Sequence, residues 1–284
     1  MLSTLKGKTK TRIMGAVKES LGRRGYQLVG GKNLPPDYDQ ATVDLFWKVK
    51  PYTLTSHERV FALRQAVTYV VKANIPGTIV ECGVWRGGSM LVIANTLLEL
   101  GDTSRDLYLF DTFETMPPPG EHDVDVWGHK AADTYEEALA SPVFAYIPQD
   151  EIRRLLEATG YPPERLHFVK GMVEKTIPDA APAQIALCRL DTDWYESTAH
   201  EMEHLYPRIT PGGLLLVDDY GHFLGSKRAV DEYIDTHGLV LLLNRIDMTG
   251  RLIQVPGRTP ASVPAEVAAE AETTVKVAAA TVSV

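Results

Sequence analysis

The stretch Ile79-Val80-Glu81-Cys82-Gly83-Val84-Trp85-Arg86-Gly87-Gly88-Ser89 decides the reading of this chain. An apolar run ends in an acidic residue, three glycines follow within six positions, and an amphipathic run from Met90 to Leu100 comes next. That order spells strand, tight turn, helix. Glycine lets the backbone turn sharply and lets a ligand approach without a Cβ in the way. The start of the helix adds unpaired N–H groups beside the turn. The turn therefore reads as a cradle for a nucleotide-like ligand, against the plainer reading of a strand-to-helix connection with no ligand.

Spacing sharpens this. The dinucleotide fingerprint is G-x-G-x-x-G, whereas here Gly83 is followed by three other residues and then Gly87-Gly88. With Glu81 included, the pattern is E-x-G-x-x-x-G-G-S. It resembles the first motif of S-adenosylmethionine (SAM)-dependent methyltransferases, whose turn backs onto the amino-acid half of SAM. That likeness places Glu81, Gly83, Val84, Trp85, Arg86 and Ser89 at the cofactor.

The chain has 284 residues, of which 44% are hydrophobic, enough for one sizeable α/β core with decorations. A net charge of −8 argues against the basic surface of a nucleic-acid binder. Two cysteines, Cys82 and Cys188, each fall inside an expected core strand and read as reduced and structural. No apolar run reaches about 18 residues, so no integral membrane contact is expected. The basic N-terminus lacks the apolar core of a signal peptide. The cytoplasm is the expected location.

Residues 1–50 read as an N-terminal segment: a basic, weakly amphipathic helix over 1–30, then an extended connection with a short apolar piece at Leu45-Phe46-Trp47. A helix capped near Thr55-Ser56 follows, with Val60, Leu63, Ala66, Val67 and Val70 at helical spacing. Strands are expected at Thr78–Cys82, Leu107–Phe110, Leu166–Val169, Ile185–Leu190 and Leu214–Val217. Helices are expected between them, at 88–100, 149–159, 197–206 and 226–236. Alternation of this kind gives a mostly parallel sheet covered on both faces. Val240–Leu243 and Arg251–Gln254, flanking Met248-Thr249-Gly250, read as a closing antiparallel hairpin. The domain proper is expected over 51–257, with an insertion at about 117–150. Residues 258–284, poor in aromatics, read as a disordered tail.

In an open parallel sheet, ligands sit beyond the carboxyl ends of the strands. Asp111 follows the second strand, in Phe110-Asp111-Thr112-Phe113, where an acid can bind a ribose diol or cap the next turn. Gly171, Met172 and Val173 follow the third strand, where an adenine ring would lie. Leu190-Asp191-Thr192-Asp193 follows the fourth and Val217-Asp218-Asp219-Tyr220 the fifth. Asp191, Asp218 and Asp219 converge at one edge, and three carboxylates repel unless a cation or proton joins them. Hard oxygen donors favour Mg²⁺ or Ca²⁺. The plainer reading makes these residues caps of the helices that follow. His222, just past the pair, is either a base, a substrate contact or an ordinary loop histidine.

Together the blocks Glu81–Ser89, Phe110–Met116, Leu190–Thr198, Leu205–Pro207 and Pro211–Tyr220 resemble the macrocin O-methyltransferase family, over about residues 50–255. The resemblance implies a class I SAM-methyltransferase fold, Rossmann-like, and a SAM- and Mg²⁺-dependent transfer to a sugar hydroxyl of a natural product or glycan. It implies Asp191, Asp218 and Asp219 as metal ligands, with Asp191 also the base, and Glu81, Gly83 and Asp111 at SAM. Thr53 and Ser56 are expected to close over the cofactor. The insertion, with His122, Trp127 and His129, lies where such enzymes carry a variable lid over the acceptor. Two rival readings are a catalytically silent scaffold of the same fold and a nicotinamide-dependent oxidoreductase. A homo-oligomer is compatible with either helix or lid contacts.

Overall fold

The computed structural model describes residues 34–141 and 148–257. The expected N-terminal helix over 1–30 and the tail over 258–284 lie outside these residues. The chain divides into two compact units, one ending at Val43 and the other beginning at Asp44. Within the first, Asp39 accepts the N–H of Thr42 at 2.7 Å and so starts helix α1, Gln40–Val49. That start explains why an extended connection expected there is helical.

In the second unit, α2 (His57–Lys72) leads into β1 (Thr78–Cys82), α3 (Gly88–Leu100) and β2 (Leu107–Asp111). Helices α4 (Ala131–Ala140) and α5 (Gln149–Glu157) precede β3 (Leu166–Lys170), and a single turn, α6 (Val173–Thr176), precedes β4 (Ile185–Leu190). Then come α7 (Tyr195–Leu205), β5 (Ile209–Val217), α8 (Leu224–Thr236), β6 (Asn244–Arg245) and β7 (Arg251–Gln254). The sheet order is β3-β2-β1-β4-β5-β7-β6. Strands β1 to β5 pair in parallel, while β7 runs antiparallel to β5 and β6 antiparallel to β7. The fold is thus a mostly parallel seven-stranded sheet with helices on both faces and an antiparallel finish.

Chemistry explains the layering. All six residues of β4 are buried, as a central parallel strand covered on both faces requires. Val80, Cys82, Phe110, Cys188, Leu215 and Val217 join Met202, Val230 and Tyr233 in one core cluster. Cys82 and Cys188 are both free and buried. The chain order reverses between β1 and β4, and that switch point opens a crevice at the carboxyl ends of the strands.

The finish is the expected antiparallel hairpin with its first strand shifted. Its first strand is Asn244–Arg245, which pairs with Leu252 and Arg251, rather than Val240–Leu243. Leu239, Leu241 and Leu243 pack on the core while Val240 and Leu242 face outward, so the run alternates like a strand yet no ladder covers it.

Candidate active site

The first wall of the crevice comes from the ends of β1 and β2. Gly83 has a left-handed φ of +82°, and a Cβ there would meet the backbone oxygen of Asp191 at 2.0 Å. A side chain is therefore excluded, and the end of β1 lies directly against the end of β4. Asp111 pins the turn: one carboxylate oxygen accepts the N–H of Val84 at 2.6 Å and of Trp85 at 3.1 Å, and the other accepts Phe113 N–H at 2.7 Å. The ribose role read from sequence shares this carboxylate with three backbone donors. Trp85 and Phe113 hold positive φ values of +46° and +48° beside it. Non-glycine residues in that region carry strain that surrounding structure must hold, and such strain clusters at functional sites.

The crevice encloses about 810 Å³, within the range of about 300–1,000 Å³ typical of small-molecule sites. Thr53, Gly83, Val84, Trp85, Ser89, Asp111, Thr112, Phe113, Gly171, Met172 and Val173 line it, and so do Asp191, Asp218, Asp219 and His222. Three expected residues stand apart from its lining. Glu81 is fully buried behind the turn, where burial raises its pKa to about 7 against the pull of Arg189. Its Oε1 meets Arg189, while Oε2 has no partner. Ser56 caps α2 by accepting Arg59 N–H and donates its hydroxyl to Asp247 at 2.6 Å. Arg86 stacks its guanidinium on the Trp85 ring at 4.8 Å.

The opposite wall comes from the ends of β4 and β5, and it is dense in charge. Asp191, Asp218 and Asp219 each place a carboxylate oxygen within 4.8 Å of the others, a grouping of metal-ligand type that stands alone among the described residues. They do not cap the helices that follow. The N-cap positions of α7 and α8 are Trp194 and Phe223, and neither side chain makes a capping bond. The Tyr195 N–H of α7 instead donates to Asp123, from the insertion, at 2.8 Å.

Two arginines that the motif reading passed over organise this wall. Arg189, on β4, donates from Nη1 to Glu81 and to Asp191, both at 2.7 Å, and from Nη2 to Asp218 at 2.5 Å. Its side chain is only 4% exposed. Such a buried cation is tolerable because three carboxylates surround it. Arg59, from α2, pairs with the other oxygen of Asp218 and with Asp247 at 2.9 Å. The signal for Arg189 was one charge inside an otherwise apolar strand. Asp193 was also passed over. It lines the crevice with φ +65°, and burial together with the charge of Asp191 pushes its pKa up to about 8. Burial raises Asp219 as well, with Asp193 and Asp218 adding to the effect.

Asp219 Oδ2 is buried with no donor among the described residues, and the Asp219 carboxyl lies within hydrogen-bond reach of the Asp193 carboxyl. An orphaned acceptor beside two further carboxylates fits a hard divalent cation, which accepts oxygen donors of this kind. His222 donates its backbone N–H to Asp219 O at 2.8 Å and its ring is half-buried, which lowers its pKa.

The insertion forms the rim. Trp194 Nε1 donates to Pro117 O at 2.9 Å, Tyr135 OH to Met116 O at 2.6 Å, and Val126 N–H to His222 O at 2.9 Å. Asp123 is buried at 1% exposure and also accepts Gly120 N–H. Trp127, 64% exposed, meets the His222 ring edge-on.

Residues 18–254 match the profile of the Macrocin-O-methyltransferase (TylF) family. The 8-demethyl-8-(2,3-dimethoxy-alpha-L-rhamnosyl)-tetracenomycin-C 4'-O-methyltransferase of Streptomyces olivaceus is 33% identical over 76% of this chain and 80% of its own length. Demethyldecarbamoylnovobiocin O-methyltransferase of Streptomyces niveus is 31% identical over 72% of this chain and 76% of its own. Among solved structures, the O-methyltransferase NovP superposes with a TM-score of 0.64 at 32% identity, covering 72% of this chain and 82% of that one. A calicheamicin methyltransferase at 18% identity and TM-score 0.53 shares the fold. Among the described residues no helix is long and apolar enough to cross a membrane. With the glycine turn, the crevice and the carboxylate wall in the positions described, and the match running over most of its length, the chain belongs to the macrocin O-methyltransferase family of methyltransferases.

Proposed function

We propose that this protein transfers a methyl group from SAM to a sugar hydroxyl of a glycosylated small molecule, using Mg²⁺ held at the carboxylate wall. The observation that carries the reading is the facing of two unlike walls across one crevice: a glycine turn and, opposite, three clustered aspartates with an unpartnered Asp219 oxygen. The acceptor class is supported by the relatives, one named for a rhamnosyl-tetracenomycin and one for demethyldecarbamoylnovobiocin.

SAM supplies a methyl on a sulfonium, which leaves readily once a nucleophile is aligned with it. Asp191, Asp218 and Asp219 would hold a divalent cation, whose charge would make a nearby acceptor hydroxyl more acidic. The chain's own contribution is mainly alignment, which is worth several orders of magnitude for such a transfer. The turn at Gly83, fixed by Asp111, holds the cofactor side. Arg189 holds Asp191 and Asp218 in one fixed relation by binding both. In this reading Asp191 is both a cation ligand and the group that takes the hydroxyl proton, its carboxylate held in place by Arg189. His222, at the rim, contacts the acceptor with a neutral ring.

The test is calorimetric titration with S-adenosylhomocysteine, in Mg²⁺ and after EDTA treatment, alongside methyl transfer to demethyldecarbamoylnovobiocin and rhamnosylated tetracenomycins. Cofactor binding that persists in EDTA, with turnover that does not, is the expected result. Absence of binding in both conditions removes the cofactor site. Turnover that survives complete chelation removes the metal.

A further inference from the structure

Ser56 caps α2 and sets Arg59 in the first turn of that helix, on the crevice wall. From there Arg59 reaches two carboxylates on different elements. Nη1 takes Asp218 Oδ2 at the end of β5, and Nε takes Asp247 Oδ2, on the turn between β6 and β7, at 2.9 Å. Asp247 is itself fixed, because its Oδ1 accepts Thr249 N–H at 2.9 Å and Gly250 N–H at 2.8 Å. A Cβ on Gly250 would stand 3.1 Å from Arg59 Cδ, so that turn leaves room for the arginine stem.

Both oxygens of Asp218 are therefore held by arginines, but the two arginines differ. Arg189 is 4% exposed and locked by Glu81 and Asp191 as well, whereas Arg59 is 19% exposed and has a second acid already in contact. A divalent cation at Asp191, Asp218 and Asp219 would compete with these arginines for the Asp218 carboxylate, and Arg59 is the more exposed of the two. Like charges at hydrogen-bond distance repel strongly in a partly desolvated site.

We propose that Arg59 is a resident counter-ion that competes with the divalent cation for Asp218 and shifts its full weight onto Asp247 when the cation binds, so that the Arg59–Asp247 pair sets the cation affinity. This rests on the metal reading above. Arg59 is a positioning residue in this role: it acts through Asp218. Without a cation it neutralises one edge of the aspartate cluster, and with a cation it weakens binding by its own charge.

The experiment measures Mn²⁺ binding directly, from the electron paramagnetic resonance signal of free Mn²⁺, at constant ionic strength and without substrate. Arg59→Met is expected to bind Mn²⁺ roughly tenfold more tightly than the unaltered protein, and Arg59→Lys to fall between. Asp247→Asn is expected to bind several-fold more weakly, since Arg59 then has no second acid to take. Melting temperature in EDTA should fall in Arg59→Met and recover on adding Mn²⁺. A purely structural arginine would give weaker or equal binding in Arg59→Met, and either result overturns the proposal. If Arg59→Met fails to fold, the Asp247→Asn shift decides, and unchanged affinity there overturns it. Absence of Mn²⁺ binding by the unaltered protein overturns the metal reading and this inference with it. Binding by the unaltered protein without the predicted shifts overturns this inference alone.

Discussion

The two walls of the crevice solve different problems with different materials. The wall at β1 and β2 is built from backbone: a glycine turn, two residues in left-handed geometry and one carboxylate saturated by three N–H groups. The wall at β4 and β5 is built from charge, with Asp191, Asp193, Asp218 and Asp219 set around two arginines. A shape-defined surface is fixed by chain geometry and tolerates little change of backbone. A charged surface is fixed by mutual neutralisation and is sensitive to pH and to cations. The contrast teaches that the backbone-built wall and the charged wall of one site can fail separately.

The contrast breaks first at Gly83, where the walls touch. Gly83→Ala would put a Cβ 2.0 Å from the Asp191 carbonyl oxygen at φ +82°. It is expected to cost about 3 kcal/mol or more of stability and to remove both cofactor and metal binding, read from thermal melts and calorimetry. Asp218→Asn should separate the walls. Turnover is expected to drop by about a hundredfold or more, while S-adenosylhomocysteine affinity changes by less than about threefold on calorimetric titration, since the backbone wall is left intact.

A pH test probes the ground beneath the charged wall. Glu201 is fully buried, accepts the Thr192 hydroxyl at 3.0 Å, and has its pKa pushed up from 4.5 to about 8 by burial. The native state then holds a proton that the unfolded chain releases between those values. Its contribution to stability is complete below about pH 4.5 and is lost as pH rises through about 8. Glu201→Gln is expected to flatten the decline by at most about 1.4 kcal/mol per pH unit, as read from urea melts at pH 5, 6.5 and 8 without metal. An unaltered slope would place the titrating proton elsewhere. The smallest effect falls on the backbone-built wall. Asp111→Asn keeps one acceptor oxygen and should weaken S-adenosylhomocysteine binding by about tenfold or less, with Mn²⁺ affinity unchanged.

The backbone-built wall was the more legible in sequence. Its signals are local: three glycines, a preceding apolar run and an acid at the next strand end, all placed by strand–turn–helix order. The aspartates of the charged wall were legible too, because they follow apolar runs whose ends a parallel sheet must gather at one edge. Arg189 and Arg59 were not read, since the carboxylate they share, Asp218, is 29 residues from one and 159 from the other. Asp193 hides for a different reason. Its place depends on a left-handed backbone that the run Asp-Thr-Asp does not announce. The closing strand shifted from Val240–Leu243 to Asn244–Arg245 because register with β7, not hydrophobicity, decides which residues pair.

The insertion at the rim of the crevice is fastened at a small number of points. Asp123 docks its carboxylate on the Tyr195 N–H, while Gly225 leaves it room: a Cβ there would lie 2.4 Å from Asp123 Oδ1. Peg and socket sit on opposite sides of the junction between rim and body. A chimaera that exchanges residues 117–141 between members of this family would thus be portable only where Asp123 travels with a glycine at position 225. Where that match is kept, the rim becomes a separable module, open to grafting without disturbance to the glycine-turn half of the crevice.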